Sequence, residues 1–161
     1  MKNHDANDPI AMSARLRALA LTQKPEDIGF TPRASGQNVF CVLMETGMEK
    51  AVFTMVCFFD GSTSLYFSSG GGTIGCGEHA SVAAAAKAFV SLAETYAERL
   101  PAITGLALPK TGMVRFIVRT PAGMLGAEAR ERDLGEKRNQ LWPLFFSGHL
   151  VITRIRELKL L

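Results

Sequence analysis

Residues 39–68, VFCVLMETGMEKAVFTMVCFFDGSTSLYFS, decide the fold class of this chain. Two runs rich in Val, Phe and Met, 39–45 and 51–59, are separated by a connection short enough for a hairpin. Asp60 and Gly61 tolerate the positive φ that hairpin turns require, and a third strand is expected over 64–68. The stretch therefore predicts a three-stranded antiparallel meander.

The second run is apolar at alternate positions on both faces of the expected strand. A strand of this kind is covered on both sides, either by other elements of its own chain or by a partner chain. The alanine-rich segment 83–86 likewise suits a close helix contact in a core or at a dimer surface. From these two features we predict a homodimer.

Helical spacing follows the meander. Apolar residues recur at intervals of three and four from Val82 to Leu100, and Pro101 ends this amphipathic helix. Residues 113–120, MVRFIVRT, alternate, with Val114, Phe116 and Val118 on one face and Arg115, Ile117 and Arg119 on the other, which predicts a fourth strand. A short charged helix is expected over 128–134 and a last helix from about Pro143, while Ser13 is expected to cap a first helix that runs to Leu21.

These elements predict an α+β fold with a mainly antiparallel sheet of about four strands and helices packed on it. The length of 161 residues suits one core, so residues 13–161 are expected to form a single domain. Residues 1–12 begin with a polar, charged stretch and are predicted to be a disordered tail.

Composition excludes several function classes. The net charge of +3 is concentrated in residues 110–161, but its basic residues are mixed with acidic ones and no nucleic-acid motif accompanies them, so nucleic acid is an unlikely partner. No apolar run reaches the length of a membrane span, and no secretory leader is recognisable, which favours a cytoplasmic protein with no membrane association. Three cysteines without a C-x-x-C pair predict reduced thiols and no metal site.

Residues 68–77, SSGGGTIGCG, contain the one candidate site. Gly70 to Gly75 satisfy G-x-G-x-x-G between a strand and a helix, but the strand belongs to a meander and the next strand ends in Arg119-Thr120 instead of an acidic residue. A P-loop would need Lys-Ser or Lys-Thr where Cys76-Gly77 stand. No dinucleotide, P-loop or metal motif is intact, and no cofactor is identified.

Two interpretations of this stretch remain. It is either a turn that needs glycine for its backbone, which is favoured, or a cradle for a small anionic ligand. The cradle would consist of Ser68, Ser69, Gly70, Gly71, Gly72, Gly75 and Gly77, with Arg115 or Arg119 supplying positive charge.

Cys76 and His79 are the only nucleophile and base close together in sequence, and a thiol at a helix start has a lowered pKa in principle. No orienting group or oxyanion site accompanies them, so they are weak catalytic candidates, although Cys76 is expected to be the most reactive thiol. The sequence favours a non-enzymatic binding or regulatory module. The alternative is a small-molecule or phosphate-binding enzyme that uses the glycine-rich turn 70–77, with Cys76 and His79.

Overall fold

The computed structural model describes residues 7–33 and 38–161. Within them a single antiparallel sheet has the strand order β4-β3-β2-β1-β5-β6. Its strands are β1 (Cys41–Gly47), β2 (Val52–Phe58), β3 (Thr63–Phe67), β4 (Gly72–Thr73), β5 (Met113–Thr120) and β6 (Gly123–Arg130). The α+β class and the meander are confirmed, but the predicted number of four strands is too low.

The two additional strands lie at the edges of the sheet. β4 has two residues, too few to show any periodicity. β6 follows β5 through a tight turn at Gly123, whose φ is +146°, and pairs with β5 along its whole length. The prediction of a helix over 128–134 is therefore wrong for 128–130, because residues up to Arg130 are extended and hydrogen-bonded to β5.

In the described ranges four helices cover the sheet: α1 (Pro9–Thr22), α2 (Ala80–Tyr96), α3 (Glu131–Gly135) and α4 (Trp142–Glu157). Short 3-10 turns occupy Pro25–Ile28, Cys76–Glu78 and Ala97–Arg99. None of the helices in the described ranges has the length and hydropathy of a transmembrane span.

α1 begins earlier than Ser13 suggested. The Asp8 carboxylate accepts a hydrogen bond from the Ile10 amide at 3.1 Å, and Pro9 occupies the first turn, where its missing N–H costs nothing. Residues 9–12 of the predicted disordered tail are thus helical, and residues 1–6 lie outside the described residues. Ser13 lies inside the helix with its side chain buried.

The two faces of the sheet carry separate layers. α2 and α4 pack over one face around side chains such as Met44, Met55 and Phe116. α1 and its neighbouring loops cover the opposite face around Leu43, Val56 and other apolar residues. Both apolar faces of β2 are therefore covered by elements of the same chain.

Neither edge of the sheet is a long strand with all of its backbone groups free. β4 is very short, and the segment after α2 lies along the outer edge of β6. There the Ile103 amide donates to the Met124 carbonyl at 2.9 Å, and the Gly126 amide donates to the Pro101 carbonyl at 3.0 Å.

Candidate ligand-binding site

A row of polar side chains crosses the sheet on the face that α1 covers. Residues paired directly across antiparallel strands point to the same face. The row consists of Tyr66 on β3, Thr54 on β2, Glu45 on β1 and Arg115 on β5. Tyr66, Thr54 and Glu45 are buried, with relative exposures of 3%, 2% and 0%. Because buried polar groups are costly without partners, this row is the chemically unusual part of the fold.

Arg17 of α1 neutralises the buried carboxylate of Glu45. Its Nε donates to Oε1 at 2.6 Å, and its Nη2 donates to Oε2 at 3.1 Å, which makes the pair bidentate. Nη2 also donates to the Leu106 carbonyl at 2.8 Å. The pair has no net charge, and it joins α1 to the middle of the sheet.

The Tyr66 hydroxyl has no hydrogen-bond partner among the described residues. Its oxygen is buried and makes no hydrogen bond to any part of the chain that the structure describes. Burial, and to a smaller extent the Glu45 carboxylate, raise the pKa of Tyr66 above its ordinary value. The phenol is therefore neutral at physiological pH, and it offers an unused O–H donor.

A cavity of about 290 Å³ lies between α1 and this row. Its polar lining consists of Ser13, Arg17, Thr54, Tyr66 and Ser68. A second cavity, of about 360 Å³, shares Ser13 and Tyr66 with the first. The second cavity is otherwise mainly apolar, with Pro9, Met12, Leu16, Leu65 and Ile74 in its lining. We call the two together the α1 cavity.

Part of the glycine-rich stretch borders the α1 cavity. Gly71 and Gly72 line its apolar part, and Ser68 lines its polar part. The Ser68 hydroxyl oxygen already accepts a hydrogen bond from the Val52 amide at 2.7 Å. Ser69 is exposed in the turn. Of the residues predicted as ligand contacts, Ser68, Gly71 and Gly72 therefore face α1 rather than the start of α2.

The β3–β4 turn needs its glycines for architecture. A Cβ atom at Gly70 would lie 2.8 Å from the Pro9 Cβ, so the missing side chain lets α1 begin against the turn. A Cβ at Gly72 would lie 2.2 Å from the Leu65 carbonyl oxygen, and the φ of Gly72 is +152°. The Gly70 amide donates to the Phe67 carbonyl at 3.0 Å, so it is used within the hairpin.

Gly75 and Gly77 lie beyond β4, next to the start of α2. Gly75 is left-handed, with a φ of +73°, and precedes the 3-10 turn. A Cβ at Gly77 would lie 2.2 Å from the Gly61 carbonyl oxygen, which shows how closely the two backbones approach. These two glycines do not line the α1 cavity, and the predicted set is divided between two places.

Cys76 differs from the prediction of an open, reactive thiol. It is 1% exposed and belongs to the core beneath α2 and α4, with its Sγ 3.7 Å from the Thr73 Oγ1. His79 is exposed at the N-cap position of α2. Within the described ranges no hydrogen bond joins the two side chains. Glycines flank Cys76 in the sequence, but in the folded chain core residues of α2 and α4 cover its thiol.

Arg115 and Arg119 do not approach the glycine-rich stretch. Arg115 donates to the carbonyls of Gly105 and Ala107. Arg119 donates to the Ala20 carbonyl at 2.8 Å, and its guanidinium lies 4.7 Å from the centre of the Phe40 ring. Three strands separate β5 from β4, a distance of about 19 Å at the usual strand spacing. The predicted combination of glycines and arginines is therefore not assembled.

The sequence interpretation missed the central residues of this site. A signal existed: Glu45 is the one charged residue of β1. Its pairing with Arg17 joins positions 28 residues apart, and no local pattern encodes it.

Comparison with known proteins identifies no relative. No protein-family model, curated protein or solved structure matches this chain. Among the described residues, no group of three or more His, Cys, Asp or Glu is arranged to hold a metal ion.

Proposed function

We propose that this protein is a non-enzymatic binding module that holds a small uncharged molecule in the α1 cavity. The observation that carries this proposal is the buried Tyr66 hydroxyl without a partner. A buried hydroxyl of this kind destabilises the free protein, and a ligand with an oxygen acceptor would supply the missing hydrogen bond.

The charges around the cavity favour an uncharged ligand. Arg17 is already neutralised by Glu45, and Tyr66 is a neutral phenol. An anion would have to compete with the buried Glu45 carboxylate, and a cation would have to compete with Arg17. Either charge would be buried without a counter-charge of its own, which is costly.

The lining also indicates the shape of the ligand. Three residues that carry hydroxyl groups, Ser13, Thr54 and Tyr66, line one part of the α1 cavity, and apolar residues such as Met12 and Leu16 line the other. This arrangement fits an apolar body with a carbonyl, amide or hydroxyl group at one end. The Tyr66 hydroxyl would donate to that group.

Three probes with one common ring test the proposal: benzamide, benzoate and benzylamine. Their effect on the melting temperature is measured for the wild type and for Tyr66→Phe, and the difference between the two proteins isolates the α1 cavity. Benzamide should raise the melting temperature of the wild type, with a stabilisation that grows as RT ln(1 + [L]/Kd), and this rise should be lost in Tyr66→Phe. For benzoate and benzylamine the two proteins should respond equally.

The matched control is Tyr96→Phe. Tyr96 is the other tyrosine of the chain, and its hydroxyl donates to the Gln140 carbonyl outside the α1 cavity. Tyr96→Phe should retain the benzamide response. A benzamide response that survives in Tyr66→Phe, or no response to benzamide in the wild type, would contradict the proposal.

The enzymatic alternative gains no support from the geometry. Cys76 is buried in the core, and His79 is exposed beside it without a shared hydrogen bond in the described residues. An anion at the glycine-rich turn would also lack Arg115 and Arg119, which are engaged elsewhere on the sheet.

We also retain the homodimer as a proposal. Elements of the same chain cover both apolar faces of β2, so these faces are no evidence for a homodimer. Met12 and Leu19 lie on one side of α1 and remain 44% and 55% exposed, and a second copy would bury this surface. A molar mass in sedimentation that stays monomeric at all concentrations would contradict the homodimer.

A further inference from the structure

The opposite face of the sheet carries a separate cavity of about 470 Å³, within the usual size range of small-molecule sites. It lies between the second half of α4 and the turn that joins β1 to β2. One wall is formed by the rings of Phe53 and Phe67, whose centres are 5.2 Å apart, and by Ile152 of α4. We call it the α4 cavity.

His149 of α4 lines this cavity and has an unused ring nitrogen. Its Nε2 is buried and makes no hydrogen bond to the described residues, while its ring packs against Phe145 with 4.3 Å between centres. Burial and, second, the charge of Arg156 lower the pKa of His149. A neutral imidazole retains one N–H, which can be placed on Nε2 and donated to a ligand.

Arg156 provides a positive charge on the same side of the cavity. Residues 149, 152 and 156 follow the spacing of one helical stripe, and all three line the α4 cavity. Arg156 is exposed and forms no ion pair with the described carboxylates. By contrast, Arg154 on the next face of α4 is already paired with Glu157.

One acidic side chain also lines the α4 cavity. Glu131 lies across from α4, at the start of α3. The region around α4 is nevertheless basic, since residues 149–161 contain Arg154, Arg156 and Lys159 against Glu157. The α4 side of the cavity therefore combines a cation with a second possible donor, whereas the Glu131 side offers one carboxylate.

We propose that the α4 cavity binds a small amphipathic carboxylic acid. Its carboxylate would pair with Arg156 and accept a hydrogen bond from the His149 Nε2, and its apolar body would lie against Phe53 and Phe67. A planar carboxylate matches the guanidinium geometry of arginine. This proposal does not depend on the α1 cavity, which lies on the other face of the sheet.

Octanoate, octylamine and 1-octanol test the proposal by isothermal titration with the full chain. Octanoate should bind saturably and more tightly than the other two. Arg156→Gln should weaken octanoate binding about tenfold or more, as expected for the loss of a charge-assisted hydrogen bond. Arg154→Gln should leave the octanoate affinity within about twofold, because Arg154 does not line the cavity.

Two further variants make the test specific. His149→Phe keeps an aromatic ring but removes the nitrogen, and it should also weaken octanoate binding. Tyr66→Phe should leave it unchanged, which separates this site from the α1 cavity. Octylamine binding as tightly as octanoate, equal affinity in the wild type and Arg156→Gln, or no octanoate binding would each overturn the proposal.

Discussion

Replacing Tyr66 by phenylalanine should make the free protein more stable. The substitution keeps the buried ring and removes only a hydroxyl that has no hydrogen-bond partner in the described part of the chain. A buried unsatisfied polar group costs about 1–3 kcal/mol, so the free energy of unfolding should rise by an amount in that range. For a chain of this length each kcal/mol corresponds to about 2–4 °C in melting temperature.

Tyr96→Phe again serves as the control, now with an effect of the opposite sign. The Tyr96 ring is also buried, but its hydroxyl donates to the Gln140 carbonyl at 3.3 Å. Removing that bond should lower the free energy of unfolding by about 0.5–1.5 kcal/mol. Urea denaturation of both variants, followed by circular dichroism, measures the two changes under identical conditions.

A loss of stability in Tyr66→Phe as large as that of the control would refute this reasoning. It would mean that the Tyr66 hydroxyl has a partner in the free protein, such as an ordered water in the α1 cavity. The argument that a ligand supplies the missing partner would then lose its basis. Greater stability together with lost ligand binding would instead agree with a residue whose hydroxyl serves binding.

Three other predictions test the surrounding structure. Glu45→Gln should lower the free energy of unfolding by about 3–5 kcal/mol, because it leaves the charge of Arg17 without its buried partner. Combining Glu45→Gln with Arg17→Met should recover much of that loss, and no recovery would contradict the pairing. Gly72→Ala should destabilise the protein more than Gly71→Ala. Both glycines have a positive φ, but only at Gly72 does a backbone atom lie where the Cβ would be. Equal losses of stability in thermal denaturation would contradict this reasoning. Burial raises the pKa of Cys57 to about 12, so the thiol ionises at lower pH in the unfolded chain than in the folded protein. The free energy of unfolding should therefore fall as the pH rises from about 8.5 towards 12. Cys57→Ala should reduce that pH dependence, and an unchanged dependence would contradict the assignment to Cys57.

The parts of the fold that the sequence predicted well have strong local patterns. β5 was expected over 113–120 and has those bounds; Val114, Phe116 and Val118 recur on one face of the strand, which is a local signal. The meander and α2 were also predicted, since strand runs separated by turn residues and a helical apolar stripe are local signals.

The parts that were missed depend on pairing with distant residues. β6, GMLGAEAR, contains two glycines and helix-favouring residues, and only its hydrogen bonds to β5 hold it extended. The polar row was missed for the same reason. Glu45, Thr54 and Tyr66 become neighbours only when three strands are in register, and Arg17 reaches them from another layer.

The short edge strand β4 and the partly covered edge strand β6 restrict how two copies of this chain can associate. An exposed edge strand is a template for β-pairing with another molecule, which is also the route to aggregation. Here one edge strand has two residues, and the amide and carbonyl groups at Met124 and Gly126 on the other edge are occupied by the segment after α2. Continuous pairing of sheets across an interface is thereby disfavoured, so a partner copy would have to dock through helical surface.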